Sequence, residues 1–368
     1  MSAKVRIALI GAGTFGQRHL DYVRRDPECE AVAIADPASG AAAYARERGI
    51  AYFGDCAEML AEARPDGVIV ASPNSLHAPI GLLCVAAGVP VLMEKPVADT
   101  IAAATALVEA AEQRGVPILV GHHRRHNPLV ERARDLVQGG ALGTLTCVNA
   151  MWLMRKPDAY FSAAWRRQSG GGPLLINLIH DVDALRYICG EIVSVDAFGS
   201  NAVRGHPVED TAAILLRFES GALGTIALSD AVAAPWGWDT NSGESDAFAY
   251  ADENSYYFAG TAGSLAFPRM ELWRYAGSGD WSTPLRCERI EVPKADPLAR
   301  QLRHFVRVIR GEEAPRVSAR DAMRSLALTL AIEEAARKSA AISGAAGALP
   351  LPAPDPGADG APVAAVSQ

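Results

Sequence analysis

A glycine-rich loop near the N-terminus limits the fold of this chain more than any other feature. The loop Gly11-Ala12-Gly13-Thr14-Phe15-Gly16 follows an apolar run, Val5–Ile10, and precedes a helical pattern at residues 17–25. A G-x-G-x-x-G loop between a buried strand and a helix is typical of dinucleotide-binding Rossmann folds, because its glycines permit a tight turn and a close approach of the pyrophosphate. We therefore expect the cofactor to contact Gly11, Gly13, Thr14, Phe15 and Gly16.

The next strand pattern suggests which dinucleotide is bound. It ends at Asp36, 20 residues after Gly16. A carboxylate at this place accepts hydrogen bonds from the adenosine ribose hydroxyls and repels a 2′-phosphate. NAD is therefore the expected cofactor. NADP is kept as the alternative, because Ser39 or Arg46 would reach a 2′-phosphate if Asp36 turned away.

Up to about residue 121 the chain alternates short apolar runs with helical patterns. The runs cover residues 5–10, 31–35, 67–71, 89–93 and 117–120. They are apolar nearly throughout, as strands buried on both faces are. Residues 101–114, between the last two runs, carry Ala, Leu and Glu at helical spacing. This alternation predicts a doubly wound parallel sheet over residues 1–121.

From residue 122 the pattern changes to longer strands interrupted by glycine. Strand patterns include residues 213–218 and 222–228, and later helical patterns cover 298–310 and 319–338. We therefore expect an α/β chain whose second domain, residues 122–342, is an α+β unit with a large open, mainly antiparallel sheet. Residues 343–368 consist largely of Ala, Pro and Gly and predict a disordered tail.

Composition argues against several classes of protein. The 368 residues suggest about two domains, and 49% hydrophobic with 21% charged residues is typical of globular chains. The net charge is -7, and no segment concentrates Lys and Arg as nucleic-acid binding requires. The N-terminal sequence lacks a cleavable apolar segment and a membrane span, so we expect a cytoplasmic protein. The six cysteines lack paired spacing, which favours reduced, mostly buried thiols.

Two polar segments follow successive strand patterns, at the edge where open α/β sheets bind ligands. The first is Ser72-Pro73-Asn74-Ser75-Leu76-His77, and the second is Glu94-Lys95-Pro96. Both are expected to contact the dinucleotide. The cofactor-binding candidates of this edge are Ser72, Asn74, His77, Glu94 and Lys95.

These segments resemble the Gfo/Idh/MocA family of oxidoreductases, which includes inositol dehydrogenases and glucose-fructose oxidoreductases. The resemblance continues where Gly170-Gly171-Gly172 leads to His180 and Asp183, and again at residues 218–224 and 260–264. It implies an NAD(P)-dependent dehydrogenase that oxidises a hydroxyl of a sugar, sugar acid or cyclitol. It also implies that Lys95 bonds to the substrate hydroxyl and the nicotinamide ribose, and that His180 is the general base.

The chemistry of the residues supports these roles independently. Hydride removal from a secondary alcohol requires a group that takes the hydroxyl proton, and imidazole does so near neutral pH. An ammonium such as that of Lys95 stabilises the developing alkoxide. One position departs from the family pattern, because Ile176 stands where a carboxylate usually precedes the histidine by four residues. Asn177 and Asp183 share a helical face with His180 and are the expected replacements, although an amide cannot take a proton.

Other polar and aromatic residues are candidates for substrate contact. A guanidinium pairs with a carboxylate through two hydrogen bonds, and an indole offers a flat face to a ring. Residues 122–126 contain three histidines, but no acidic or thiol partner lies at ligand spacing, so no metal site is expected. The substrate candidates are His123, Arg124, Arg125, Trp165, Arg166 and Asp183.

Three other functions stay open. One is a cis-dihydrodiol dehydrogenase in which Arg124 and Arg125 hold a ring carboxylate. Another is a non-catalytic sensor of a dinucleotide or sugar, which the absence of the carboxylate at Ile176 favours. The third is NAD-dependent glycoside cleavage. In each case the partner is a small polyhydroxylated or ring molecule, with no nucleic acid and no membrane. Because an open sheet with a bare apolar face is often covered by another subunit, we expect a homodimer or homotetramer joined through the second-domain sheet.

Overall fold

The computed structural model of the protein describes residues 3–343 and contains two sheets with their helices. The strands of the first sheet are β1 (Val5–Ile10), β2 (Cys29–Ala35), β3 (Ala51–Phe53), β4 (Gly67–Val70), β5 (Val91–Met93) and β6 (Ile118–Val120). They are parallel and lie in the order β3-β2-β1-β4-β5-β6, which confirms the predicted Rossmann sheet. The sequence patterns do not predict β3, because this edge strand is largely exposed and shows no buried apolar run.

The helices between these strands follow the expected alternation. They are α1 (Thr14–Arg25), α2 (Ala41–Glu47), α3 (Cys56–Ala63), α4 (Asn74–Ala86) and α5 (Ile101–Arg114). The bounds of α5 agree with the prediction, because the Thr100 side chain accepts a hydrogen bond from the Ala103 N–H and Gly115 ends the helix with a φ of 66°. Helix α1 begins inside the glycine loop, so its N-terminus lies at the carboxyl edge of β1.

The second sheet has eight strands and is mixed rather than purely antiparallel. Its strands are β7 (Leu145–Leu153), β8 (Ile192–Ser200), β9 (Thr211–Phe218), β10 (Leu223–Ser229), β11 (Tyr256–Gly260), β12 (Ser264–Phe267), β13 (Glu271–Tyr275) and β14 (Leu285–Arg289). The order is β14-β13-β12-β11-β7-β10-β9-β8. The pair β7 and β10 is parallel and the other pairs are antiparallel, which confirms the expected mainly antiparallel sheet.

One face of the second sheet is packed and the other is open. The remaining helices are α6 (Pro128–Gln138), α7 (Ile179–Cys189), α8 (Trp238–Asn241), α9 (Pro297–Ile309) and α10 (Ala319–Ser343). Apolar residues of α6 and α7 share a core with Ile214 and Leu216 of β9. Leu215, between these two, points away from that core and is 54% exposed. The alternation along β9 therefore separates a buried face from a solvent-facing one.

The last two helices connect both halves of the molecule. Phe305 of α9 and Leu326 of α10 belong to the core of the first sheet, whereas Ile332 of α10 belongs to the core of the second. A bridge between Leu119 and Ser318 adds a pairing beside β6. The expected tail, from residue 344 onwards, lies outside the described residues.

Two further expectations concern the cysteines and the membrane. Cys147 and Cys287 are exposed, so the prediction of mostly buried thiols is wrong for these two. In residues 3–343 no helix combines the length and the apolar character that a membrane crossing needs.

Candidate active site

The glycine loop leaves room for a pyrophosphate at one position. Gly11 has a φ of +92°, and a Cβ on it would lie 2.7 Å from the carbonyl carbon of Ala71. A Cβ on Gly16 would collide with the carbonyl oxygen of Gly11, so neither position accepts a side chain. A Cβ on Gly13 would meet no atom of the described residues within 4 Å. The loop is therefore packed against the sheet at both ends and open in the middle, as phosphate binding requires.

Asp36 lies directly after β2 and holds this loop. Its Oδ2 accepts a hydrogen bond of 2.6 Å from the Ala12 N–H, and its Oδ1 accepts one of 2.7 Å from the Ala38 N–H. A carboxylate has about four acceptor sites, so both oxygens can still accept from hydroxyl groups. Thr14 and Phe15 begin α1 and are exposed. These groups fit the ribose and phosphates of a dinucleotide.

His77 connects the two polar segments of the sheet edge. Its Nδ1 lies 2.6 Å from the carbonyl oxygen of Pro96, and its Nε2 lies 2.9 Å from that of Ser72. The ring is buried and faces backbone oxygens on both sides, so it positions these segments; direct contact with a dinucleotide stays a prediction. The Ser72 hydroxyl is buried without a hydrogen-bond partner in the described residues, and Asn74 is exposed at the start of α4, so both are free to bind a ligand.

Glu94 forms a buried pair with a histidine of α1. Its Oε1 lies 2.7 Å from Nε2 of His19. Burial raises the pKa of Glu94, but the hydrogen bond to His19 and the charges of His19 and Lys95 outweigh it, and the pKa is about 2. Glu94 is therefore an anion at the base of the cleft, directly before Lys95.

Lys95 is held by the backbone of the second domain. Its Nζ donates a hydrogen bond of 3.0 Å to the carbonyl oxygen of Ile176. Ile176 lies in a π-helical turn, Leu174–Leu178, that continues into α7, and such turns are frequent at functional sites. His180 follows four residues later, on the same helical face. Burial lowers the pKa of Lys95, and the charge of Glu94 partly offsets this effect.

One ring nitrogen of His180, the buried Nδ1, has no hydrogen-bond partner in the described residues. The rings of His122 and His123 lie edge-on to it, with centroids 6.2 and 5.3 Å away. Burial, followed by the charges of Lys95 and Arg124, holds the pKa of His180 well below its ordinary 6.5. A neutral imidazole therefore lies beside an ammonium.

The arginines expected to clamp a substrate are instead paired inside the protein. Arg124 donates to Asp181 at 2.8 Å, and Arg125 donates two hydrogen bonds, of 2.8 and 2.6 Å, to Asp183. All four side chains are buried. Arg124, Arg125 and Asp183 were expected to contact the substrate. They instead form internal ion pairs that fix α7. Asp183 accordingly does not orient His180.

Comparison with known proteins agrees with this geometry. Residues 5–122 match the Gfo/Idh/MocA model described as an oxidoreductase family with an NAD-binding Rossmann fold, and residues 130–266 match the Gfo/Idh/MocA C-terminal domain. The chain belongs to the Gfo/Idh/MocA family. It is 34% identical to the 4-carboxy-2-hydroxymuconate-6-semialdehyde dehydrogenase of Sphingobium sp., over 61% of this chain and 72% of that protein.

Two further proteins are similar along most of the chain. The scyllo-inositol 2-dehydrogenase (NAD(+)) of Bacillus subtilis is 27% identical over 90% of this chain and 94% of its own. The WlbA dehydrogenase from Bordetella pertussis, solved in complex with NADH and UDP-GlcNAcA, has a TM-score of 0.74 at 24% identity, covering 91% of this chain and 97% of that one. This structural similarity shows that the chain and the WlbA dehydrogenase share one fold.

Asn177, expected to substitute for the Gfo/Idh/MocA carboxylate, has a partner that sequence analysis missed. Its Oδ1 accepts a hydrogen bond of 2.8 Å from Nζ of Lys156. Lys156 lies three residues after β7 and is only 7% exposed. The signal in the sequence is weak, because a single lysine after a strand has no characteristic spacing. The amide of Asn177 is therefore committed to Lys156, and the carbonyl of Ile176 to Lys95.

The remaining predicted substrate residues are His123, Trp165 and Arg166, of which His123 lies beside His180. Nε2 of His123 lies 2.8 Å from a carboxylate oxygen of Glu244. Arg166 donates to the carbonyl oxygen of Tyr160 at 2.7 Å and stacks on its ring, so it stabilises its own loop. Trp165 is 54% exposed and offers a free indole face. Within the described part of the chain, no three His, Cys, Asp or Glu side chains are arranged to hold a metal ion.

Proposed function

We propose that this protein oxidises a secondary hydroxyl of a small polyhydroxylated molecule, with His180 as general base. The observation that carries the proposal is the unpartnered, neutral imidazole of His180 one helical turn from the carbonyl that holds Lys95. A proton acceptor beside an ammonium is the pair of groups that alcohol oxidation needs.

The residues divide the reaction between them. When bound, the dinucleotide supplies the nicotinamide ring that accepts the hydride. The His180 imidazole takes the hydroxyl proton as the carbonyl forms, and the Lys95 ammonium stabilises the negative charge on the substrate oxygen. The charge of Glu94 favours the protonated form of Lys95 because it raises the pKa of that side chain, and the Ile176 carbonyl fixes its Nζ.

The same reasoning favours NAD over NADP. The dinucleotide would lie over Gly11 to Gly16, with its adenosine ribose at Asp36. Both Asp36 oxygens accept backbone hydrogen bonds, which supports a fixed carboxylate that repels a 2′-phosphate.

The proposed substrate class rests on candidate side chains and on the relatives. The candidates for contact are His123, whose ring lies beside His180 although its Nε2 faces Glu244, and the exposed Trp165, which supplies a flat ring face. The scyllo-inositol dehydrogenase among the relatives acts on a cyclitol, as its name states. We propose a sugar, sugar acid or cyclitol as the substrate. The cis-dihydrodiol hypothesis relied on Arg124 and Arg125 to hold a ring carboxylate. Because both arginines are ion-paired inside the protein, this hypothesis is less favoured.

Assembly is part of the proposal. Phe198, Leu215, Leu223 and Tyr257 are 66%, 54%, 53% and 43% exposed, and strand register places them on one face of the second sheet. Large apolar side chains grouped on an open sheet mark an interface. We propose a homo-oligomer joined through this face.

A substrate screen tests the proposal. Purified protein with NAD is mixed with sugars, sugar acids, cyclitols and cis-dihydrodiols, and the absorbance of reduced cofactor is followed. Turnover of a polyol or sugar that disappears in His180→Ala supports the proposal. Turnover of cis-dihydrodiols alone, or of no compound, would overturn it.

A further inference from the structure

Lys156 is a buried cation that the proposed reaction does not use. It lies on the loop after β7, and its Nζ donates to Asn177 Oδ1 at 2.8 Å. The same atom lies 4.7 Å from the centroid of the Tyr160 ring and 5.4 Å from that of Trp152. Aromatic faces stabilise an ammonium, but an ammonium has three N–H donors and here a single short hydrogen bond. Lys156 therefore retains donors for a ligand.

The carboxylate nearest to Lys156 belongs mainly to another cation. Asp230 Oδ2 lies 3.5 Å from Lys156 Nζ, whereas Asp230 Oδ1 accepts a hydrogen bond of 2.8 Å from Arg204 Nε. The backbone oxygen of Asp230 also accepts from Arg204. One buried carboxylate thus serves two cations, and Arg204 makes the closer contacts. Arg204 also lies 3.8 Å from the exposed Asp158, so two carboxylates share its charge, and Lys156 keeps only the 3.5 Å contact with Asp230.

Lys156 and Lys95 hold adjacent residues of one turn. Lys95 bonds to the carbonyl of Ile176, and Lys156 bonds to the side chain of Asn177. Both residues belong to the π-helical turn that leads to His180. An anion bound at Lys156 would therefore lie next to the hydroxyl that Lys95 and His180 are proposed to engage.

We infer that Lys156 anchors a carboxylate of the substrate, so that the enzyme acts on a sugar acid or another hydroxy acid whose carboxylate lies near the reacting hydroxyl. This inference rests on the proposed function. A single carboxylate would pair with the one ammonium of Lys156, whereas a phosphate dianion would bring a second negative charge close to Asp230. A neutral hydroxyl would leave the ammonium with its 3.5 Å contact to Asp230 as the nearest charged partner.

Matched pairs of ligands test the inference. D-Gluconate with D-glucitol, and D-galacturonate with D-galactose, differ mainly in the carboxylate; D-glucose 6-phosphate is the phosphate arm. The affinity of each is measured by calorimetry on the protein loaded with NADH, and KM and kcat are measured with NAD. The variants are Lys156→Met, which removes the charge, Lys156→Arg, which keeps it, and Lys294→Met as an exposed control.

The acid members should bind more tightly to the unmodified protein. In Lys156→Met their Kd and KM should rise about 10- to 100-fold, the loss expected for a hydrogen bond between charged groups, with a smaller change for the neutral members. Lys156→Arg should restore part of the acid preference, and Lys294→Met should retain all of it. D-Glucose 6-phosphate should have a higher Kd than the carboxylic acids.

The outcomes separate this inference from the proposed function. Equal affinity for both members of every pair, no binding of any acid, or tighter binding of the phosphate overturns the role of Lys156. Turnover without a preference for the acid members also overturns the role of Lys156, but it is consistent with the proposed function. An acid preference in binding that Lys156→Met abolishes, without turnover, supports the anchor and overturns the oxidation. If Lys156→Met does not fold, the pairs are compared in Lys156→Gln, which also removes the charge; unchanged Kd and KM for the acids in that variant overturn the inference.

Discussion

Nζ of Lys95 donates a hydrogen bond to the backbone carbonyl oxygen of Ile176, 3.0 Å away. The acceptor is a main-chain atom, so it does not depend on which side chain stands at position 176. A backbone carbonyl of the π-helical turn, rather than a carboxylate side chain at position 176, thus holds the Lys95 ammonium close to His180. This explains how a site that lacks the usual acidic residue retains its lysine and histidine in one place.

Substitution of these two residues should have unequal effects. Ile176→Ala keeps the carbonyl acceptor and should change kcat/KM only about twofold, the size of effect expected away from critical contacts. Lys95→Ala should reduce both turnover and NAD affinity, because the ammonium is proposed to touch substrate and nicotinamide ribose. Steady-state kinetics and NADH fluorescence titration measure both. Equal losses in the two variants would show that the Ile176 side chain has its own role.

His180→Ala and Asn177→Ala should differ in kind. The imidazole is the proposed proton acceptor, so its removal should lower kcat by about 10² to 10⁴-fold, the usual value of general-base catalysis. NAD affinity should hardly change, because the cofactor loop lies on the first sheet. Asn177→Ala should cost less, because an amide cannot take the proton. Near-normal turnover in His180→Ala would assign the base to another residue.

The pH profile follows from the two shifted groups. His180 must be neutral to accept a proton, and its pKa lies well below 6.5, so the rate should fall only when the pH drops far below that value. Lys95 must be protonated, and its pKa lies below 10.5, so the rate should fall on the alkaline side before pH 10.5. The measurement is kcat/KM against pH, which reports the free enzyme. An acid limb centred at pH 6.5 or higher would contradict the burial of His180.

Local sequence patterns predicted the first sheet and its helices well. The glycine turn before α1 and the helix Ile101–Arg114 depend on turns, caps and periods within a few residues. The strand β3 was not predicted because it lies at the sheet edge and is largely exposed, so its sequence lacks the apolar run of a buried strand.

The substrate end depended on contacts between distant residues. Arg125 and Asp183 are 58 residues apart in sequence, and their pairing is decided by how α7 packs. A sequence shows two free charges where the fold makes one ion pair. Lys156 shows the reverse case, because its burial comes from the aromatic residues around it and not from a motif.

Asp36 should decide the choice of dinucleotide. The unmodified protein should bind NADH more tightly than NADPH, and Asp36→Ser should narrow or reverse the difference because the repelling charge is lost. The substitution also removes the acceptor for the Ala12 and Ala38 N–H groups, so affinity for both cofactors should fall somewhat. Fluorescence titration with each reduced cofactor gives the ratio. Equal affinities in the unmodified protein would refute the assignment.

The exposed face of the second sheet should join subunits. Leu215 and Leu223 lie near each other on that face, since Leu215 pairs with Thr225 and Leu223 with Arg217 across two adjacent strands. A glutamate at Leu215, which lies opposite Thr225 and Asp196, would bury a charge at the interface with no opposite charge directly across from it, at a cost of about 3 to 5 kcal/mol. Leu215→Glu should therefore shift the protein from dimer or tetramer to monomer, as light scattering at micromolar concentration would show. Leu83 lies on the exposed side of α4, and its side chain is 43% exposed, against 54% for Leu215. Leu83→Glu is therefore the matched control and should leave the assembly unchanged. A monomeric unmodified protein, or the same assembly in Leu215→Glu, would mean that subunits do not meet through this face.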